Sequence, residues 1–204
     1  MPDAVIVPPP APQNQPVPAQ QTVILDTLTV SNLIPQSTPD YTMHKLLMYE
    51  SILFTNAKRV LETGTDVGDS ARIFATALRR TGGILFTIDK KTDLKSTWMQ
   101  EYPNIVAIQG DSLQIKWENE LDLLYIDSDH TKDHVLAELR KFGPWVRKGG
   151  VILCHDTVHS EFGAQITDAI RTFCRENSLR WSEDPNPHGM AIIEVIRDIS
   201  AGRK

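Results

Sequence analysis

The segment from Glu62 to Ser70 has residue types at a spacing that could hold a small ligand. Its sequence, Glu-Thr-Gly-Thr-Asp-Val-Gly-Asp-Ser, follows an apolar pair and precedes a helical pattern that begins at Ala71. Gly64 and Gly68 can adopt backbone angles closed to other residues, and they present no Cβ to a ligand above the turn. The helix that follows directs unpaired N–H groups to the same place. The segment therefore predicts a strand–turn–helix site for a nucleotide-type cofactor.

The negative charge of the Glu62 carboxylate restricts the kinds of ligand that the turn could bind. At a strand end it repels a pyrophosphate and attracts a cationic amine or a pair of hydroxyl groups. The glycine spacing also differs from the G-x-G-x-x-G of dinucleotide sites, because Thr65 and Asp66 follow the first glycine. Two alternatives stay open at this point. One is an NAD-dependent oxidoreductase on a similar sheet, and the other is a glycine turn that binds no ligand.

Acidic residues follow the apolar runs along the chain. Five such runs end at or next to an acid: Glu62, Asp89, Asp111, Asp127 and Asp156. Strand-like runs that alternate with helical patterns predict a doubly wound, mostly parallel α/β sheet. The carboxyl ends of parallel strands lie along one edge of such a sheet, where ligands bind. We therefore expect the five carboxylates to converge on one rim.

Hydrophobic periodicity indicates the elements that position these acids. A helix is expected from Asp40 into the glycine turn. Further helices are expected over 72–80, over 131–146 and around Ile166–Phe173, with a weaker helical pattern over 94–102. The predicted strands cover residues 60–62, 84–88, 105–109, 121–126 and 151–154, with a hairpin-like pair at 180–183 and 190–196.

The first 39 residues differ in composition from the rest. Residues 1–21 contain seven of the thirteen prolines and are expected to form an extended, disordered tail. A proline tract that binds a partner is the alternative for this tail. Residues 22–39 are richer in β-branched side chains and are expected to form an extended arm. Residues 40–204 are long enough for one domain with its own core.

Composition excludes several classes of function. Of the 204 residues, 41% are hydrophobic and 23% are charged, as in globular proteins. The net charge of −5 without a basic block argues against a nucleic-acid partner. No apolar stretch approaches the roughly 20 residues of a membrane span, and no signal peptide is expected. Cys154 and Cys174 are expected to be buried, reduced thiols, which favours a cytoplasmic protein.

Residues 40–197 resemble the class I S-adenosylmethionine-dependent methyltransferases. They are most similar to the small metal-dependent O-methyltransferases of the catechol, caffeoyl-CoA and macrolide-sugar types. Three parts carry the likeness, namely the glycine turn at 62–70, Asp89 after the second strand, and the segments 127–130 and 149–156. The resemblance implies a Rossmann-like fold with a seven-stranded sheet whose last strand is antiparallel. It also implies S-adenosylmethionine as the cofactor.

The resemblance implies roles for the residues that match the family motifs. The glycine turn would hold the methionine moiety, with Glu62 and Asp66 near its amine. Asp89 would accept hydrogen bonds from both ribose hydroxyls, which suits one carboxylate beside a vicinal diol. Capping of a following helix is the alternative for Asp89. Asp111 and Ser112 would lie at the adenine end. The implied cofactor site consists of Glu62, Gly64, Thr65, Asp66, Gly68, Ser70, Asp89, Asp111, Ser112 and Asp127.

Asp127, His155 and Asp156 are the candidate metal ligands that the resemblance implies. Carboxylates at convergent loop ends suit Mg²⁺, whereas an imidazole ligand favours a borderline metal such as Mn²⁺. The family carries an acid at the position of His155 in this sequence. Two alternatives therefore stay open, because His155 could orient Asp156 or the site could have lost its metal.

His130 is the candidate catalytic base, together with Asp127, three residues before it. Catechol-type enzymes place a lysine at the position of His130, and a histidine with an ordinary pKa near 6.5 suits the role at neutral pH. A metal would assist by lowering the pKa of the acceptor hydroxyl and fixing its position. A surface histidine that caps the next helix is the alternative for His130. His159 and His188 are further candidates on the acceptor side.

The expected reaction is transfer of a methyl group to a hydroxyl of a small-molecule acceptor, such as a sugar or natural product. The rival hypothesis is a non-catalytic cofactor-binding or scaffold protein on the same fold. The N-terminal region is short where the family covers the acceptor with extra helices or loops. Either the acceptor is large and the site open, or a second subunit of a homo-oligomer supplies the cover.

Overall fold

The computed structural model of the protein describes residues 42–91 and 97–199. The proline-rich tail and the extended arm expected from the sequence lie outside these residues. Within the described part, helices and strands alternate along the chain. The helices are α1 (Thr42–Thr55), α2 (Asp69–Thr81), α3 (Lys132–Phe142) and α4 (Gly163–Asn177). The strands are β1 (Arg59–Thr63), β2 (Ile84–Asp89), β3 (Ile105–Gln109), β4 (Leu121–Ile126), β5 (Val146–His155), β6 (Trp181–Asp184) and β7 (Met190–Glu194).

The strands form one seven-stranded sheet in the order β3-β2-β1-β4-β5-β7-β6. Strands β1 to β5 pair with one another in parallel. Strand β7 lies antiparallel between β5 and β6. The sequence prediction of a doubly wound, mostly parallel sheet with an antiparallel last strand is therefore confirmed.

The apolar runs of the central strands are buried on both faces of the sheet. Side chains alternate between the two faces along a strand. Val60 packs with Ile52 of α1 and Phe74 of α2 in one core cluster. Leu61, the next residue, packs with Leu139 of α3 in the other cluster. The two layers of helices leave the carboxyl ends of the parallel strands accessible, as in other doubly wound sheets.

Two boundaries differ from the sequence prediction. The helix expected over 131–146 ends at Phe142, followed by a 3₁₀ turn, Gly143–Trp145. Pro144 has no N–H and cannot continue the α-helical hydrogen bonding, which explains the early end. Strand β5 begins at Val146 rather than Val151, with a shift of register opposite Leu121 and Leu123. The weak helical pattern over 94–102 is a 3₁₀ helix, Thr97–Glu101, and residues 92–96 lie outside the described part.

Main-chain hydrogen bonds draw the carboxyl ends of the central strands together. The N–H of Gly64 donates to the carbonyl of Ile88 at 2.9 Å, and the N–H of Asp127 donates to the carbonyl of Thr63, also at 2.9 Å. Both bonds extend the strand pairing one residue beyond β1 and β4. The glycine turn and the first loop after β4 are thereby held side by side at the rim.

Candidate active site

A cavity of about 650 Å³ opens at the carboxyl ends of the parallel strands. Cavities of this size hold cofactors and small ligands in many proteins. Most of the site residues expected from the sequence line it, namely Gly64, Thr65, Asp66, Ser70, Asp89, Ser112, Asp127, His130 and Asp156. The wall also contains Ser128, Asp129, His134, Lys90 and Lys91. Glu62, Gly68, Asp111 and His155 are not part of the cavity wall.

The position of Gly64 requires a residue without a side chain. Its φ of +89° lies in the left-handed region. A Cβ there would lie 2.1 Å from the carbonyl oxygen of Asp127. Gly68, with a φ of +85°, ends the turn and precedes α2. The glycines therefore allow the turn to pass directly against the end of β4 and α2 to begin beside the cavity.

Glu62 is fully buried behind the glycine turn. It accepts hydrogen bonds from the hydroxyl groups of Ser70 and Thr87. Burial raises the pKa of Glu62 to about 8, although these two hydrogen bonds act in the opposite direction. The protonated form therefore predominates at neutral pH, and in that form one of the two hydroxyl groups accepts the carboxyl proton instead of donating its own. Glu62 fixes Ser70 at the start of α2, and its expected contact with a cofactor amine stays a prediction.

Asp89 holds the glycine turn in place. One carboxylate oxygen accepts the N–H groups of Thr65 at 2.8 Å and Asp66 at 2.9 Å, and the other accepts the N–H of Lys91 at 2.8 Å. Burial acts to raise the pKa of Asp89, but the backbone hydrogen bonds outweigh it and the pKa lies below its ordinary value. A carboxylate has about four acceptor positions, so three are already used. The expected hold on a ribose diol stays a prediction.

Asp111 and Ser112 point in different directions after β3. Asp111 accepts the N–H of Leu113 and lies 3.3 Å from the ammonium of Lys90. Ser112 is buried at the cavity wall and donates to Glu138 on α3. Of the two residues expected at the adenine end, Ser112 lines the cavity.

Asp127, His130 and Asp156 form an acid–histidine cluster at the ends of β4 and β5. Nε2 of His130 lies 3.0 Å from Oδ2 of Asp156 and 3.5 Å from Oδ1 of Asp127. The hydroxyl of Tyr125 donates to Oδ2 of Asp127 at 2.9 Å. One donor atom from each of the three cluster residues lies within 4.8 Å of the others, close enough to share a cation.

The charges of this cluster are strongly coupled. The nearby carboxylates of Asp127 and Asp156 raise the pKa of His130 to about 10, against the effect of burial. Burial acts to raise the pKa values of both aspartates, but the facing histidines outweigh it and hold them below the ordinary value. His130 is therefore an imidazolium at neutral pH in this arrangement, whereas the sequence prediction of a base assumed an ordinary pKa.

His155 lies beneath the carboxylates, between them and α1. Its Nδ1 is 3.5 Å from Oδ1 of both Asp127 and Asp156, and its Nε2 is 3.2 Å from Nδ1 of His44. Burial acts to lower the pKa of His155, but the two aspartates raise it to about 9. This placement favours the alternative in which His155 orients the carboxylates. Within the described residues, the group of three side chains close enough to share a cation consists of Asp127, Asp156 and His130, and does not include His155.

Aromatic rings form a stacked column beside His130. Phe162 stacks on His130 with a centroid distance of 4.7 Å and on His159 with a distance of 4.2 Å. His188 stacks on His159 at 5.4 Å, and its Nδ1 lies 3.4 Å from Oδ1 of Asp156. The two loop histidines were predicted from the sequence, whereas Phe162 was not, because it carried no pattern beyond its position before a predicted helix.

Glu138 and Ser128 were also missed. A signal for Glu138 was present, because it falls on the apolar stripe of α3 with Val135, Leu139 and Phe142. A carboxylate at such a position needs buried partners. Ser128 lies in the Asp-Ser-Asp-His segment and gave no separate signal.

Comparisons with known proteins find likenesses to methyltransferases. Residues 61–157 match a family model described as a methyltransferase domain. Rhamnosyl O-methyltransferases of Mycobacterium bovis and Mycobacterium tuberculosis are 25% identical to this chain over 157 residues, which cover 62% of this chain and 64% of theirs. The chain thus spans a little under two thirds of the length of these curated relatives.

Solved structures show the same fold. The SAH-bound methyltransferase PaMTH1 of Podospora anserina has a TM-score of 0.64 and 16% identity, covering 83% of this chain and 85% of that one. An O-methyltransferase of Bacillus cereus in complex with SAH has a TM-score of 0.59 and 19% identity, covering 85% and 93%. The order and direction of the strands agree with these likenesses, and the chain has the Rossmann-like fold of these methyltransferase structures.

Proposed function

We propose that this protein is an S-adenosylmethionine-dependent O-methyltransferase that methylates a hydroxyl group of a small molecule with the help of a divalent metal. The observation that carries the proposal is a single cavity faced by both the glycine turn and the acid–histidine cluster. The rhamnosyl O-methyltransferases among its relatives support a sugar hydroxyl as the acceptor.

The reaction makes two demands on the protein. The acceptor oxygen attacks the methyl carbon, a C–O bond forms, and the bond from methyl to sulfonium breaks to leave SAH. The hydroxyl proton must also leave the acceptor. The protein must therefore hold the oxygen in line with the methyl group and provide a place for the proton. The cluster of Asp127, His130 and Asp156 has the polar atoms to do both.

The donor set fits a divalent cation. Asp127 and Asp156 would hold it with hard carboxylate oxygens, and His130 is the third donor within reach. A bound cation would lower the pKa of an acceptor hydroxyl and offset the two negative charges that face His130. The presence of an imidazole in the donor set favours Mn²⁺ beside Mg²⁺ as a candidate.

The side chains of the cluster orient the acceptor. Phe162 stacks on His130, and Asp156 faces its Nε2, so the ring is held with that nitrogen toward the carboxylates. Neutral His130 has one lone pair, and where the two carboxylates alone hold the cation, His130 can use it to accept the acceptor proton at Nε2. Asp127, whose Oδ2 accepts the hydroxyl of Tyr125, then faces the imidazolium that forms on His130 and offsets its charge.

We further propose a cytoplasmic location and a small-molecule acceptor as the partner, without nucleic acid or membrane. Cys154 and Cys174 are buried and unpaired, which supports a reducing compartment. Within the described residues, no helix has both the length and the apolar character needed to cross a bilayer. A second subunit that covers the acceptor would make the active form a homo-oligomer.

An acceptor screen tests the proposal. SAH release from S-adenosylmethionine is measured with rhamnosides, other hexosides and catechol, in EDTA and with added Mg²⁺ or Mn²⁺. We expect turnover of a sugar acceptor that needs the cation and falls at least 100-fold in Asp156→Asn. Asp168→Asn, at an exposed aspartate of α4, is the control and should retain turnover.

Two results would contradict parts of this proposal. Equal turnover in EDTA and in Mn²⁺ would show that the reaction does not need a divalent metal. Tight binding of S-adenosylmethionine without turnover of any acceptor would favour the non-catalytic cofactor-binding protein.

A further inference from the structure

A fully buried carboxylate, that of Glu138, lies directly behind the cavity wall. Its Oε1 accepts hydrogen bonds from the hydroxyls of Ser112 at 2.5 Å and Ser128 at 2.8 Å. Its Oε2 accepts the hydroxyl of Thr63 at 3.2 Å. Ser112 and Ser128 both line the cavity, whereas Glu138 does not. One side chain of α3 thus connects the ends of β1, β3 and β4.

His134 adds a fourth contact to the same carboxylate. Its Nε2 lies 3.4 Å from Oε1 of Glu138, and the ring lines the cavity. The hydrogen bond to Glu138 raises the pKa of His134 above its ordinary value, against burial. Because buried carboxylates are costly without partners, the four contacts explain how Glu138 is tolerated on the apolar face of α3.

The direction of the serine protons follows from these contacts. A serine hydroxyl has one proton and two lone pairs, and a carboxylate accepts hydrogen bonds without donating any. Both serine protons point to Glu138, away from the cavity. Nε2 of His134 lies 3.4 Å from the hydroxyl oxygen of Ser112 and can use one of its lone pairs. The remaining lone pair of Ser112 and those of Ser128 are therefore what this wall offers to a ligand.

We propose that Glu138 is a positioning residue of the cofactor site, which holds Ser112 and Ser128 as hydrogen-bond acceptors for an N–H or O–H group of the bound cofactor. The identity of the ligand rests on the proposed function, since S-adenosylmethionine and SAH carry such donors on the adenine, the ribose and the amino-acid ammonium. A ligand with only acceptor atoms at this wall would meet two lone pairs and bind weakly.

The test compares two replacements of Glu138 by calorimetric titration with SAH. Glu138→Gln keeps a carbonyl oxygen for both serines and should bind SAH within about threefold of the unmodified protein. Glu138→Leu removes the acceptor, frees the serine protons to turn toward the cavity, and should weaken SAH binding at least tenfold. Glu50→Gln, at an exposed glutamate on α1, is the matched control and should change nothing.

Two serine variants keep the test informative if Glu138→Leu fails to fold. Ser112→Ala and Ser128→Ala leave Glu138 in place and remove one acceptor each, so each should weaken SAH binding about fivefold or more. Ser182→Ala, at an exposed position of β6, is their control. The thermal midpoint is recorded for every variant.

The outcomes separate this inference from the proposed function. If the unmodified protein does not bind SAH, the proposed function fails. If it binds SAH but the two serine variants bind it equally well, the inference is overturned. Loss of SAH binding in Glu138→Gln equal to that in Glu138→Leu would overturn it too, because the carbonyl acceptor would then not suffice.

Discussion

Two acidic residues that occupy similar positions in the sequence differ in charge in the folded protein, because one is mostly protonated at neutral pH and the other is ionised. Glu62 and Asp156 both lie at the ends of apolar strands, and both positions were predicted from that pattern. Glu62 is buried among hydroxyl groups, and its pKa is raised to about 8. Asp156 faces three histidines, and its pKa is lowered. The sequence could predict where the carboxylates converge, but their charge depends on neighbours distant in the chain.

The histidines should make the metal-free protein less stable at high pH. The folded pKa of His130 is about 10, above the ordinary value near 6.5. Folding therefore gains stability from this proton below about pH 6.5, and the gain is lost as the pH rises through 10. Urea unfolding in EDTA from pH 6 to 10 should show this decline, and His130→Gln should make it shallower. An equal slope in the variant would show that His130 does not hold the extra proton.

Replacing Glu62 by glutamine, which is neutral and of the same shape, should destabilise the fold less than replacing it by alanine. Because the protonated form predominates at pH 7, Glu62→Gln keeps the shape and most hydrogen bonds, and should lower the free energy of unfolding by at most about 1 kcal/mol. Glu62→Ala leaves a cavity and two hydroxyls without their partner, and should cost about 3 kcal/mol. Chemical denaturation of both variants at pH 7 measures the difference. Equal losses would mean that the carboxyl group is needed in its charged form.

At the scale of elements, the glycine turn positions the site because it passes against the end of β4. Gly64→Ala would place a methyl group 2.1 Å from the carbonyl oxygen of Asp127, at a positive φ. We expect a loss of about 3 kcal/mol in unfolding free energy and loss of SAH binding. Gly82→Ala is the matched control, because Gly82 also has a positive φ, +71°, but nothing lies within 4 Å of the added carbon.

The control separates backbone strain from contact with β4. Gly82→Ala should cost only about 1 kcal/mol and leave SAH binding intact. Equal effects of the two substitutions on stability and on binding would show that the turn does not depend on its contact with Asp127.

Periodicity predicted the elements well where one pattern decided them. The strands that end at Asp89 and just before Asp127 are largely apolar and lie within one residue of where they were expected. The boundary between α3 and β5 was missed, because Pro144 ends a helix that the apolar spacing alone would continue. Phe162 and Glu138 were missed for another reason. Their roles depend on side chains from other loops, which a pattern along one element does not contain.

Across the whole molecule, the described residues place the cavity and the acid–histidine cluster on one rim of the sheet. The sequence predicted this convergence from strand order, since parallel strands must present their carboxyl ends together. The identity of the acceptor could not be predicted in this way. It depends on whatever covers the acceptor side of the cluster, and the first 41 residues lie outside the described part.

We propose that this rim binds S-adenosylmethionine, and a calorimetric titration of the full chain is the sharpest test. The titration is run in EDTA and then with Mn²⁺, with Asp89→Ala as the variant that removes the hold on the glycine turn. We predict one binding site per chain in the micromolar range, abolished in Asp89→Ala, with a matching rise in the thermal midpoint of the unmodified protein. No heat and no thermal shift with folded protein, in EDTA and in Mn²⁺ alike, would contradict the assignment.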